Sequence, residues 1–123
     1  MNLYQEEILD HYKHPRNKKR LDNPTYSVES VNPLCGDKLV LDVAISDNSV
    51  VDVGFWGEGC AISQAAMSMM TEEIKGQPVS RLQSLTQQDV LDMLGVPVGP
   101  GRLKCALLCL GILEKIPRDA IAK

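Results

Sequence analysis

The chain has 123 residues and a formal net charge of −3, long enough to bury about two-thirds of its unfolded surface without disulfides. No block of like charge runs through it, which argues against nucleic acid or an anionic membrane as main partner. The start "MNLYQEEILD" carries acids where a secretory leader wants bases, and no stretch is long enough to span a bilayer. The expected location is the cytoplasm, where thiols stay reduced.

No repeat or linker divides the chain, so residues 1–123 read as a single domain. Residues 3–13 place Leu3, Tyr4, Ile8 and Tyr12 near helical spacing, and Pro15 ends that helix. "TYSVESV" reads as a strand. "KLVLDVAIS" alternates Leu39, Leu41, Val43 and Ile45 against Val40, Asp42, Ala44 and Ser46; "DNS" is turn chemistry and "VVDVGFW" returns, so residues 38–56 form a hairpin. The period then changes. "CAISQAAMSMMTEEIKG" sets Ile62, Ala65, Ala66, Met69 and Met70 on one helical face, with Gly76 as terminator. In "LTQQDVLDMLG", Thr86 is a cap, Asp89 its box partner and Leu85 a staple onto Val90. A last helix is expected from about Arg102 to Ile116, with Leu103, Leu107 and Leu110 on one side. Strands first and helices after give an α+β fold, with helices packed on a small antiparallel sheet.

Three of the four cysteines fall at element junctions beside glycine. Cys35 lies in "NPLCGD" between the first two strands, Cys60 follows "GEG" at the step into a helix, and Cys105 follows "GPGRLK" at the start of the last helix. A thiol in a helix's first turn feels unsatisfied N–H groups that favour thiolate, and Arg102 and Lys104 add to this at Cys105. Residues two apart in an extended loop point the same way, which lets Cys35 and Asp37 share one metal. Three sulfurs and one oxygen suit tetrahedral zinc, or an iron–sulfur cluster with one weak oxygen corner. Such a corner fits a carrier better than a permanent redox centre. Three ordinary reduced cysteines are the competing reading.

"NPLCGD", "GEGCAISQAAMSMM" and "GRLKCALL" resemble, in order and spacing, the cysteine motifs of the U-type iron–sulfur cluster scaffolds (IscU, SufU and the NifU N-terminal domain), and "ILDHYKHPRN" resembles their first helix. The resemblance covers nearly the whole chain. It implies a three-stranded antiparallel sheet with packed helices, a SufE/NifU-like architecture. It implies Cys35, Asp37, Cys60 and Cys105 as ligands of a transient [2Fe–2S] cluster or of Zn2+. It also implies a cysteine desulfurase as sulfur donor and apo-proteins as recipients, the chain being a scaffold and sulfur acceptor rather than a classical enzyme.

Two departures stand out. IscU-type members have histidine before the third cysteine and a Leu-Pro-Pro-Val-Lys motif upstream. Here Lys104 and "GVPVGPGR" take those places, which argues against an Hsp70-type chaperone as partner. Lys104 resembles the SufU branch, whose members hold zinc and act as sulfurtransferases, but the insertion usual in that branch between the second and third cysteines has no room here. The first persulfide acceptor is Cys35 if the chain is SufU-like and Cys105 if it is IscU-like, with Lys104 as electrostatic support. Cys109, one turn beyond Cys105, reads as a small buried hydrophobe, and Met67, Met69 and Met70 as core. His11 and His14 share a helix face but lack a third ligand nearby, so a solvated or partner-facing surface is favoured. Tyr4, Ile8 and Tyr12 fit core packing and a desulfurase docking stripe equally.

Overall fold

Asp47 and Asn48 both take positive φ, 52° and 61°. This is the primed two-residue turn whose twist matches paired strands, and it joins β2 (Asp37–Ser46) to β3 (Ser49–Glu58). In the computed structural model, which describes residues 3–32, 36–95 and 98–116, β1 (Tyr26–Asn32) completes an antiparallel sheet in the order β1-β2-β3. The expected hairpin is present and slightly longer. Its register shifts once: Ala44 faces Asp52 while Ile45 faces Val50, leaving Val51 as the extra residue of a bulge.

Leu39, Leu41 and Val43 of β2 and Val53 and Phe55 of β3 are fully buried in one cluster with Met67 and Met70 of α2 (Ala61–Ile74). Alternation along the strands thus delivers the inner face as expected. Helix α2 is buried at every residue from Ser63 to Thr71, so it is a central helix rather than one with a single apolar face. Its second side is covered by α1 (Leu3–Lys13) and the turn behind it, through polar contacts the apolar pattern does not carry. Ser68 Oγ lies 2.7 Å from His11 Nδ1 and accepts the Arg16 N–H at 2.8 Å, and Asn17 Nδ2 donates to Thr71 Oγ1 at 3.0 Å.

The outer face of the sheet departs from simple alternation. Asp42, expected opposite the core-facing set, is fully buried. The segment after α1 crosses that face and brings the Arg20 guanidinium to Asp42 at 2.7 Å and the Leu21 N–H at 3.0 Å, while the Ser27 hydroxyl donates at 2.6 Å. The same segment supplies the Asn17 carbonyl that accepts the Phe55 N–H at 2.9 Å on the open side of β3. Further along that side, residues 76–79 bond to Val50 and Asn48.

After α2 come α3 (Arg81–Ser84) and α4 (Gln87–Leu94). The Thr86–Asp89 capping box forms in both directions, as its sequence demands. The expected last helix is two: α5 (Pro100–Ala106) and α6 (Leu108–Leu113), broken at Leu107, whose φ of −91° and ψ of 1° are not helical. Cys105, Ala106, Leu108, Cys109, Ile112 and Leu113 turn inward. Leu103 is exposed, and Leu107 and Leu110 sit at the core's rim, so the expected leucine stripe marks the border of the packed face. Among the described residues no helix is long and apolar enough to cross a membrane.

Candidate metal and sulfur site

Asp37 opens β2 opposite Asn32 of β1 and is only 2 % exposed. It stands in the sheet, not in the extended loop expected from sequence. Two residues separate the end of β3 from α2. Near the end of β3, Gly57, at φ 134°, lies so close to β2 that a Cβ would collide with the Lys38 carbonyl. Cys60 then becomes the N-cap of α2 with an extended backbone. Its N–H donates to Asp37 Oδ1 at 3.1 Å, so the strand start and the helix start are tied together.

The remaining Asp37 oxygen, Oδ2, is buried with no hydrogen-bond partner among the described residues. A buried carboxylate oxygen left in this state is costly, and a bound metal ion would satisfy it. Cys105 of α5 arrives from the other half of the chain. Single ligand atoms of Asp37, Cys60 and Cys105 all lie within 4.8 Å of one another. Two sulfurs bound to one zinc at about 2.3 Å each stand roughly 3.8 Å apart in a tetrahedron, so small side-chain rotations bring this set onto one metal. The donor set and the orphaned oxygen fit zinc or cluster iron.

Ser63 completes the pocket from one turn into α2. The Cys60 thiol donates to Ser63 Oγ at 3.7 Å, and that hydroxyl donates to the Cys60 carbonyl at 3.0 Å. Burial pushes the Cys60 thiol up, but the Ser63 N–H and hydroxyl, the Cys105 side chain and the Ile62 N–H favour its thiolate and hold it below the ordinary value. The sulfur closes no capping hydrogen bond of its own, so the backbone N–H groups act through the positive helix start. Gly59 is confined by the same wall: a Cβ there would collide with Ser63 Oγ and press on the Asp37 carboxyl.

Cys105 is fully buried and occupies the last turn of α5, not the first turn expected from sequence. The helix starts earlier, at Pro100, because Gly99 serves as N-cap and proline is pre-set for the first position. The helix-start effect therefore acts on Cys60 and not on Cys105. Lys104 is exposed beside it. Cys35 lies outside the described residues, and so do the side chains of Tyr4 and Arg102. Cys109 is buried as expected, and burial pushes its thiol up to about 12, which makes it inert. His14 is exposed, whereas His11 is part-buried: it turns onto Ser68, and burial there lowers its pKa. Ile8 is core and Tyr12 is exposed, which splits the expected stripe.

The NifU-like N-terminal domain profile matches residues 3–119. The chain belongs to the NifU-like N-terminal domain family. Within this family it is 38% identical to the zinc-dependent sulfurtransferase SufU of Bacillus subtilis over 92% of this chain and 88% of that protein. It is 34% identical to the iron–sulfur cluster assembly scaffold protein IscU of Aquifex aeolicus over 98% of this chain and 77% of that one. The crystal structure of FiSufU from Fervidobacterium islandicum AW-1 superposes with a TM-score of 0.73 at 29% identity, covering 89% of this chain and 92% of that one. The SufU alignment runs over 130 positions, more than the 123 residues here, so that NifU-like relative carries positions this chain lacks.

Sequence reasoning did not single out Ser63, although it lies inside the quoted "GEGCAISQAAMSMM". The available signal was a serine three residues after a junction cysteine, where a hydroxyl folds back on the helix start.

Proposed function

We propose that residues 1–123 act as one iron–sulfur assembly unit that takes sulfur from a cysteine desulfurase, builds a transient [2Fe–2S] cluster on Cys35, Asp37, Cys60 and Cys105, and passes it to apo-proteins. The convergence of Asp37, Cys60 and Cys105 carries this reading. Sulfur enters when a thiolate of this chain attacks the terminal sulfur of the desulfurase persulfide. That S–S bond breaks, a new one forms here, and the desulfurase cysteine leaves as thiolate, with no net electron change. Cys35 and Cys105 are the candidate acceptors, and exposed Lys104 supplies positive charge beside an anionic cargo. Ferrous iron and an electron donor come from outside the chain.

Anaerobic reconstitution with ferrous iron, cysteine and a desulfurase tests this. Visible sulfur-to-iron charge-transfer bands are expected. One tightly held zinc per chain with no such bands would reject the scaffold reading.

The second reading is a zinc-dependent sulfurtransferase, favoured by the identity to SufU. Zinc would be held by the same residues and supply electrostatic stabilisation of their thiolates. Desulfurase turnover stimulated by the zinc form and lost in Cys35→Ala is expected on that reading.

A further inference from the structure

Ser63 is nearly sealed from solvent, at 1% exposure. Its oxygen receives the Cys60 thiol at 3.7 Å while its own proton goes to the Cys60 carbonyl at 3.0 Å. That carbonyl has a second donor, the Gln64 N–H at 3.0 Å. It therefore keeps a hydrogen bond when the hydroxyl turns away. The oxygen itself is confined, because Gly59 packs against both Ser63 Oγ and the Asp37 carboxyl. A fixed oxygen with one rotatable proton, beside a sulfur that either carries a proton or has lost it, can serve both states of that sulfur.

We propose that the Ser63 hydroxyl is the positioning group for the Cys60 sulfur, accepting from the thiol in the unloaded chain and turning to donate to the sulfur once a metal ion displaces the thiol proton. The displaced proton goes to solvent and no electron moves. Hydrogen bonds to a ligating sulfur lower its donor strength and fix its direction, so they set both affinity and spectrum. The inference rests on Cys60 being a metal ligand, and its test separates the two claims.

Co2+ is the probe, because thiolate-to-cobalt charge-transfer bands report directly on the sulfur. Metal-free chain is titrated anaerobically with Co2+ and its near-ultraviolet spectrum followed. Ser63→Ala, which removes one oxygen and keeps a helix former, is expected to weaken Co2+ binding about tenfold and to move the band to longer wavelength. Ser63→Thr, which keeps the hydroxyl, is expected to restore both. Ser68→Ala, a buried serine on the same helix but bonded to α1, is expected to lower Tm without moving the band. An unmoved band and unchanged affinity in Ser63→Ala would overturn the inference, as would equal shifts in Ser68→Ala. Wild-type chain giving no thiolate band would instead overturn the metal-site reading, and this inference with it.

Discussion

The carboxylate of Asp37 and the backbone N–H of Cys60 meet at 3.1 Å across 23 residues of sequence. One oxygen holds the start of a helix; the other is buried with no hydrogen-bond partner among the described residues. Asp37→Ala therefore removes two opposing contributions. Losing the bond to Cys60 costs about 1 kcal/mol, while relieving a buried orphan oxygen returns a similar amount. The apo-variant is expected to melt within a few degrees of wild type. Loaded with a cluster, it should lose visible absorbance more slowly, because the weak oxygen corner is gone. Faster decay would count against a release role for Asp37.

Gly59 sits where a side chain would strike Ser63 and Asp37. Gly59→Ala should cost about 1–3 kcal/mol through overpacking and abolish stoichiometric Co2+ binding. Gly111→Ala, in α6 with nothing within 4 Å of a new Cβ, is the control. It is expected to leave metal binding unchanged and to match or exceed wild-type Tm.

How much of this could be read in advance differs by element. The Asp47-Asn48 turn and the Thr86–Asp89 box were legible because each is written in adjacent residues whose chemistry permits few conformations. The Cys60 junction was legible for the same reason, since glycine beside cysteine marks a sharp backbone step. Asp42 was not. Its burial comes from Arg20 and Leu21, residues that precede β1 and carry no apolar period. The break at Leu107 was equally hidden: "LKCALLCLGIL" is apolar enough to pack from either of two helix axes, and contact with the core selects between them. Cys105 consequently sits at a helix end that sequence spacing could not locate.

Asp42 carries a pH signature. Burial raises its carboxyl pKa, but the Arg20 and Ser27 side chains and the Leu21 N–H outweigh that and hold it below the ordinary 3.8. The unfolded chain then takes up the proton first. The stabilisation is complete above that ordinary value and fades as pH falls through the depressed folded one. Asp42→Ala is expected to cost about 1–2 kcal/mol near neutral pH, since the Leu21 N–H and the Ser27 hydroxyl lose their acceptor while half-exposed Arg20 turns to water. Its urea midpoint should also depend less on pH than wild type's as pH falls below the ordinary carboxylate value. Parallel pH curves for the two proteins would reject the pairing.

The thiols should separate by reactivity. With its thiol near 12, Cys109 is thiolate in only about one molecule in ten thousand at about pH 8. Cys60 lies below its ordinary value and is partly open. Iodoacetamide followed by peptide mass mapping of metal-free chain should label Cys60 well before Cys109. Loading zinc should slow labelling of Cys60 and leave Cys109 untouched. Equal labelling without zinc would contradict this order.

The open side of β3, with its backbone groups taken by Asn17 and by residues 76–79, has a consequence at high concentration. A second copy's strand would have to displace bonds already made there to Val50 and Phe55. At the opposite border of the sheet Lys115 lays its ammonium on the Glu29 carbonyl, a cation that discourages the same kind of stacking along β1. Occupied amides on one border and a cation on the other both discourage fibre-like stacking of sheets.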